Sequence, residues 1–155
     1  VAEGGRPAMG RTRVGLHHGD VVVGNFGGEG RIQYTALGDS MNVAARLEGA
    51  NKSLKTAALV SREAAEQMGL DHFRAMGRVR VRGREKPIEV FEPLGVGSAV
   101  ADKLTEGLLA AFERGDAAAL AALRARSAAA PQDRALAYLV ERLEQVGPGG
   151  VHDLD

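Results

Sequence analysis

The sequence contains no cysteine among its 155 residues. This absence excludes a disulfide framework, a zinc site built on thiolates and a cysteine nucleophile, and it fits a reducing compartment. Long apolar runs are also missing, since stretches such as Val21–Val23 are far too short to cross a bilayer, and no signal peptide opens the chain. The formal net charge is zero, so no overall charge draws the chain to nucleic acid or to an anionic membrane.

The residues that are present suit a folded protein. Hydrophobic residues make up 45% of the chain, which is enough to bury a core, and the length suits one average domain or a small domain with an appendage. We expect a soluble, cytoplasmic protein, or the cytosolic part of a larger membrane or sensor protein. The first residue is Val1 rather than methionine, which indicates a fragment.

The composition changes along the chain and predicts two parts. The first fifty residues hold 11 of the 21 glycines, whereas residues 98–155 hold 15 alanines. Residues 1–97 carry 14 basic and 11 acidic side chains, and residues 98–155 carry 6 and 9. Glycine with valine favours strands and turns, and alanine with leucine favours helices. We therefore expect one domain over 1–97 and a helical tail over 98–155.

Strands alternate with helices in the first part, which is typical of an α/β (α+β) layer structure. The first two strands are expected to be joined by a short turn at His18-Gly19, and the last two to flank the turn Arg84–Pro87. The predicted strands are Thr12–His17, Asp20–Phe26, Ile32–Thr35, Ala58–Val60, Val79–Val81 and Ile88–Phe91.

Two helices are predicted between these strands. Asp39 or Ser40 is expected to cap a helix at about Met41–Glu48, because a short side-chain oxygen accepts from the free N–H groups of a first turn. Ser61 is expected to cap a second helix that runs to about Met68.

The spacing of apolar residues in the tail predicts three helices, and this arrangement is similar to a helical hairpin or TPR-like unit. Gly115-Asp116 is expected to end the first helix and cap the second, and Pro131 to open the third. The apolar residues that recur at helical spacing are Leu104, Leu108, Phe112, Leu120, Leu123, Leu136, Leu139, Leu143 and Val146.

Asn42 and Arg46 are the candidate functional pair. They are four residues apart on the first predicted helix, so both side chains leave the same face. An amide beside a guanidinium can hold a sugar oxygen next to an anionic phosphorus centre, because the planar guanidinium keeps its charge and offers several donors. Spacing alone also fits an ordinary amphipathic helix with a solvated Asn and Arg.

Three segments resemble the class III adenylate and guanylate cyclase catalytic domain. They are the pattern Gly-Asp-x-x-Asn-x-Ala-x-Arg at residues 38–46, the pattern Gly-x-His-x-Gly at 15–19, and the closing strands around Val81–Gly83 and Pro87–Phe91. The resemblance covers nearly all of residues 12–93. It implies an incomplete ferredoxin-like cyclase domain, followed here by an all-helical, TPR-like extension.

The resemblance also implies a function. The family consists of dimeric enzymes whose sites lie between subunits, so the implied partners are ATP and either a second copy of this chain or a complementary cyclase chain. Asn42 matches the residue that positions the ribose, and Arg46 the one that stabilises the pentavalent phosphorus. Thr35 falls where the family recognises the purine, and threonine there goes with adenine. The implied reaction converts ATP to cyclic AMP and pyrophosphate with two Mg²⁺ or Mn²⁺ ions.

Two departures from the family pattern matter. Arg82 stands where the family usually has a phosphate-contacting lysine, although Arg78, Arg80, Arg82 and Arg84 also fit a solvated strand face. Nothing before Thr12 resembles the half that carries the metal-binding aspartates, so no metal ligand is assigned and those ligands are expected from the missing half. The isolated chain is then expected to be inactive. The alternatives are a catalytically inactive pseudo-cyclase that acts as a regulatory or dimerisation module, and complementation by another chain.

Three weaker patterns point elsewhere. His17-His18 lacks partners at metal-ligand spacing, so His17 is expected in a core or hydrogen-bonding role. The glycine-rich loop 24–30 lacks the ending of a phosphate-binding loop. The basic stretch Arg74–Lys86 has no aromatic stacking platform, so nucleic acid is not expected as a partner. No membrane contact is expected from this segment.

Overall fold

The computed structural model describes residues 10, 12–28, 30–81, 85–95 and 99–154, and only the backbone of 99–102. It confirms the mixed α/β class. Seven strands, five α-helices and one short 3₁₀ helix, Leu70–His72, are described in these ranges. The strands are β1 Val14–Leu16, β2 Val22–Phe26, β3 Gln33–Leu37, β4 Ala58–Ser61, β5 Phe73–Val81, β6 Ile88–Pro93 and β7 His152–Leu154. The helices are α1 Asp39–Leu54, α2 Arg62–Met68, α3 Ala99–Glu113, α4 Ala117–Ala129 and α5 Arg134–Val146.

The main sheet has five strands in the order β1-β4-β6-β5-β7. β1 pairs with β4 in parallel and β5 pairs with β7 in parallel, whereas the central pairs are antiparallel. β2 and β3 form a separate antiparallel ribbon, in which Gly24 lies opposite Thr35. We call this ribbon, residues 22–37, the arm.

One hydrophobic cluster joins α1, the sheet and the tail helices. Val43 and Leu47 of α1 are fully buried, and so are Leu123 of α4 and Leu139 of α5. These tail leucines lie at the apolar positions predicted from the sequence. On the opposite side of the sheet, α2 packs its alanines against β4 and β6 in a smaller cluster. Both compositional parts of the chain therefore contribute to the same core.

Several local predictions are confirmed. The Ser61 side chain caps α2 by accepting from the Ala64 amide, and Asp116 caps α4 by accepting from the Ala118 amide. His17 hydrogen-bonds through Nδ1 to the Ser61 hydroxyl at 2.8 Å, so it has the expected hydrogen-bonding role.

The hairpin predicted at His18-Gly19 is wrong. β1 and β2 belong to different sheets, because β1 pairs with β4 after the α1 crossover and β2 pairs with the strand that follows it. β1 and β4 are parallel neighbours, and a parallel pair needs a crossover connection, which α1 provides here. β1 therefore does not pair with β2 across a two-residue turn. The tail has the three expected helices but is not all-helical as expected, because it ends in the strand β7, whose partner in the sheet lies far back in the chain.

The predicted cap of the first helix is also wrong. The helix begins at Asp39, and Gly38 occupies the capping position with φ 153°, in a region that favours glycine. The Ser40 hydroxyl instead donates to the Asp20 carbonyl at 2.9 Å. The helix extends to Leu54, beyond the predicted end, since Leu47, Ala50 and Leu54 continue its buried face.

Arg74 of β5 links the sheet to the tail. Its guanidinium donates to Glu92 of β6 and to both carboxylate oxygens of Asp133, which also caps α5 through the Leu136 amide at 2.9 Å. Burial alone would lower the pKa of Arg74, but the two carboxylates raise it by a larger amount. The pKa therefore lies above its ordinary value, and the guanidinium stays charged. The three groups form an ionic bridge between the two parts of the chain.

The two carboxylates of this bridge respond oppositely to pH. Burial raises the pKa of Asp133, but Arg74 and the Leu136 amide lower it more, so it lies below the usual 3.8. Burial raises the pKa of Glu92 above its usual value of 4.5, and Arg74 offsets this only in part. Asp133 therefore stabilises the fold above the usual aspartate pKa, and Glu92 contributes most below the usual glutamate pKa.

Replacing Asp133 with asparagine is expected to lower the free energy of unfolding at neutral pH by about 1–3 kcal/mol, because Arg74 loses a charged acceptor. The loss should stay constant from pH 7 to about pH 5 and shrink as the pH falls through the lowered pKa of Asp133. Urea unfolding across this range measures it. Asp153→Asn, in an exposed ion pair with Arg80, is the matched control and should cost less than about 1 kcal/mol. Equal losses would contradict the role of the bridge.

Candidate functional site

Gly15 sets the position of α1 on the sheet. A Cβ atom at this glycine would lie inside contact distance of the Ala44 carbonyl oxygen and the Glu48 amide nitrogen, and 2.9 Å from the Leu47 carbonyl carbon. The backbone of α1 therefore rests directly on β1, which a larger residue would prevent. The sequence contains this glycine within the Gly-x-His-x-Gly pattern, but its contact with the helix requires the tertiary structure.

Asn51 fixes the C-terminal end of α1 against β1. Its side chain is 1% exposed and donates through Nδ2 to the Val14 carbonyl of β1 at 2.9 Å. Its Oδ1 accepts from the Thr56 hydroxyl at 2.7 Å. A buried amide with these partners holds the helix in register with the strand. Sequence reasoning missed this residue, whose one visible signal is a polar position within the apolar stripe of the helix.

Asn42 and Arg46 lie one turn apart on α1, on the side away from the core. Asn42 is exposed and Arg46 is half-buried. Within the described part of the chain, neither side chain has a hydrogen-bond or ion-pair partner. The helix is anchored by Gly15 and Asn51, so these two polar groups are held on a fixed support and remain available to a ligand.

Thr35 is exposed on β3, in the arm. Three residues further on, the chain reaches Gly38 and enters α1. Thr35 therefore belongs to the strand that leads directly into the helix carrying Asn42 and Arg46, but it lies on a different element from them.

Arg82 lies outside the described residues. Its neighbours on β5 contact the C-terminal segment rather than forming a uniformly solvated face. Arg78 donates to the Gly149 carbonyl at 2.5 Å, and Arg80 pairs with Asp153 at 2.8 Å.

An apolar surface surrounds the arm and the start of α1, and we call it the arm surface. Such a concentration of exposed apolar side chains is typical of an interaction site. Its members, with their exposed fractions, are Val21 40%, Val22 67%, Val23 52%, Ile32 73%, Tyr34 76%, Leu37 48% and Met41 48%. Two apolar side chains of the edge strand β1 are also exposed, Val14 at 48% and Leu16 at 43%.

The described residues do not fit a two-metal site. Among them, no three His, Asp or Glu side chains come together as potential ligands. Asp20 is exposed beside the arm, and its carbonyl rather than its carboxylate contacts Ser40. Mg²⁺ and Mn²⁺ prefer sets of oxygen ligands, which these positions do not assemble.

Comparison with known proteins identifies the family. Residues 8–92, more than half of the chain, match the family model of the adenylate and guanylate cyclase catalytic domain. The chain belongs to this family, and the predicted resemblance is confirmed.

Curated relatives agree with this assignment. Adenylate cyclase 1 of Rhizobium meliloti (strain 1021) is 44% identical over 91 residues, which are 58% of this chain and 14% of that protein. Adenylate cyclase of Anabaena cylindrica is 31% identical over 83 residues, 51% of this chain and 16% of that protein. The chain thus spans a small part of the relatives it matches. Among solved structures, the adenylyl cyclase CyaB from P. aeruginosa aligns with TM-score 0.44 and 29% identity, over 51% of this chain and 40% of that chain.

In the ranges that the structure describes, no helix is both long enough and apolar enough to span a membrane.

Proposed function

We propose that this chain contributes half of an adenylate cyclase active site that converts ATP to cyclic AMP and pyrophosphate. Residues 1–97 would be the C-terminal portion of the catalytic domain, and residues 98–155 a tail packed against it. The observation that carries the proposal is the pair Asn42 and Arg46, which have no partner among the described residues and lie on the outer face of an anchored helix, in a chain of the cyclase family. The cysteine-free composition and the use of ATP suit a cytoplasmic location.

Arg46 would act on the phosphorus centre. In the reaction the ribose 3′-oxygen bonds to the α-phosphorus, and the bond from that phosphorus to the oxygen of the β-phosphate breaks. Negative charge builds up on the phosphoryl oxygens as this happens. A fixed guanidinium lowers the energy of that charge without rearranging, because α1 already holds it in place.

Asn42 and Thr35 would orient the substrate. The Asn42 amide both donates and accepts, so it can hold the ribose one helical turn from Arg46. The Thr35 hydroxyl also donates and accepts, which suits the amino group and ring nitrogen on the edge of adenine. Holding the sugar and the base fixes the direction of attack.

The family relationship implies Mg²⁺ or Mn²⁺, which when bound would activate the attacking oxygen and neutralise the leaving group. Since the described residues do not assemble a site for these ions, the proposal assigns the metal ligands to a segment or chain other than the described one.

The arm surface would bind a second cyclase chain, either another copy of this one or a complementary chain. Its exposed apolar side chains, such as Val22, Ile32 and Tyr34, lie on the same arm as Thr35. A partner that covers the arm would therefore also border the candidate substrate residues.

The direct test is cyclic AMP formation from Mn²⁺-ATP by a longer chain that carries the metal-binding half, quantified by chromatography. We expect product from the longer chain and none from the 155-residue chain alone. A longer chain that dimerises but forms no product would favour the alternative, a pseudo-cyclase that serves as a regulatory or dimerisation module. What supports that alternative is the absence of a carboxylate cluster among the described residues.

Replacing Thr35 with alanine in the longer chain is expected to reduce the preference for ATP over GTP by about tenfold, because adenine loses a hydrogen-bonding partner. The ratio of kcat/KM for the two nucleotides measures it. Gln33→Ala is the matched control, since Gln33 is exposed two residues away on the same strand. A wild-type enzyme that prefers GTP, or an equal change in the control, would contradict the role of Thr35.

A further inference from the structure

A cavity of about 510 Å³ lies between residues 1–97 and the tail. We call it the tail cavity. Its walls come from the segment before β1, from the end of α1 and from the start of α5. A volume of this size is within the range of small-ligand sites.

The tail cavity is lined by four basic side chains, Arg13, Lys52, Lys55 and Arg134. Within the described ranges, none of them has a hydrogen-bond or ion-pair partner from its side chain. They come from the segment before β1, the end of α1 and the start of α5, so the fold places positive charges around one cavity. Side chains without protein partners in a concave site are free to bind an anion.

The acidic residues of the cavity wall neutralise these cations only in part. Glu92 and Asp133 line the cavity, but both carboxylates bind the single Arg74 guanidinium of the ionic bridge, so the bridge carries at most one net negative charge against the four cations. The lining therefore keeps an excess of positive charge.

The tail cavity is separate from the candidate catalytic site. Asn42 lies in the first turns of α1 and Lys52 in the last turn. At the helical rise of 1.5 Å per residue, these two positions are about 15 Å apart along the axis. One rigid helix thus connects the two places.

We propose that the tail cavity binds a phosphate-bearing small molecule, either an inorganic polyphosphate or a nucleotide. Several cations around one cavity suit a ligand with more than one negative charge. The two lysines act as point charges and the two arginines as planar donors to phosphate oxygens. A bound ligand would bridge Lys52 of α1 and Arg134 of α5, and so hold the tail against the helix that carries Asn42. The proposal does not depend on the cyclase reaction.

The test is isothermal titration calorimetry on the full 155-residue chain without divalent metal, with pyrophosphate and ATP as separate probes. Binding of pyrophosphate would show that the inorganic anion suffices, and binding of ATP alone would show that the nucleoside is needed. Either result supports the proposal if the variants below respond as expected. The affinity should fall as salt is raised, because the contacts are electrostatic.

The double variant Lys52→Gln with Arg134→Gln is expected to weaken binding by at least about tenfold. Lys55→Asn is a second variant, and asparagine suits the left-handed conformation of Lys55, whose φ is 60°. Lys86→Gln, an exposed cation outside the cavity, is the matched control and should leave the affinity unchanged.

Three results would overturn the proposal. The first is no binding of either probe, and the second is an equal loss in Lys86→Gln and in the double variant. The third is a loss in Arg46→Ala without a loss in the double variant, which would place the anion at the candidate catalytic site instead.

Discussion

Replacing Arg46 with alanine is expected to lower kcat for cyclic AMP formation by about 100- to 1000-fold, in a longer chain that carries the metal-binding half. The proposed reason is that Arg46 opposes charge that develops in the transition state, so its loss should change kcat more than KM. Steady-state rates with Mn²⁺-ATP measure the effect. Arg46 is half-buried on a helix whose core contacts come from other positions, so the fold should be retained.

Arg114→Ala is the matched control for this prediction. Arg114 is an exposed cation just after α3, away from the arm and α1. Its replacement should change kcat by less than about twofold, as expected for a surface charge. Equal rates for wild type and Arg46→Ala would remove Arg46 from the mechanism.

Replacing Gly15 with alanine is expected to lower the free energy of unfolding by about 3 kcal/mol or more, because the new methyl group collides with the backbone of α1. The colliding atoms are the Ala44 carbonyl oxygen and the Glu48 amide nitrogen, which cannot move without shifting the helix. Urea unfolding of the 155-residue chain measures the loss. In the longer chain, the same change should lower activity, since Asn42 and Arg46 move with the helix.

Gly49→Ala is the matched control on the same helix and should have the opposite sign. A Cβ atom at Gly49 meets nothing within 4 Å. Alanine in a helix interior is favoured over glycine by about 1 kcal/mol, so this variant should be stabilised by up to that amount. If Gly15→Ala is tolerated as well as Gly49→Ala, then close packing at Gly15 does not hold α1 in position.

The parts of the fold that follow from short-range patterns were predictable. Ser61 and Asp116 cap their helices because each precedes a run of good helix formers, and capping depends on neighbours two or three residues away. The apolar spacing of the tail predicted buried residues such as Leu123 and Leu139, because a helix places such positions on one face.

Long-range pairing was not predictable. The Arg74–Asp133 ion pair joins residues separated by 59 positions, and β7 pairs with β5, which lies even further away along the chain. The alternation that predicts a strand does not identify its neighbour, which is why β1 and β2 were expected in one hairpin. Gly38 was overlooked as the start of α1 because a capping residue is ordinarily recognised by its side chain.

The placement of the candidate pair on one helical face was predictable, but the contacts that support the helix were not. Spacing placed Asn42 and Arg46 on one helical face, and the structure leaves both without a partner in the described ranges. The contacts that hold this helix, through Gly15 and Asn51, depend on tertiary structure. The exposure of the arm surface depends on it too, since valine and isoleucine in a strand are ordinarily expected to be buried.

The most direct test of the account is complementation between two chains. The longer chain with both Asn42→Ala and Arg46→Ala should be inactive, and so should the 155-residue chain, since each is expected to lack part of the site. Cyclic AMP formation from Mn²⁺-ATP is measured for each chain and for their mixture. Activity in the mixture that neither chain shows alone, and that disappears when the 155-residue chain carries Arg46→Ala, is the predicted result. A mixture as inactive as its components, although the two chains associate, would contradict the proposal that this chain supplies Asn42 and Arg46 to a shared site.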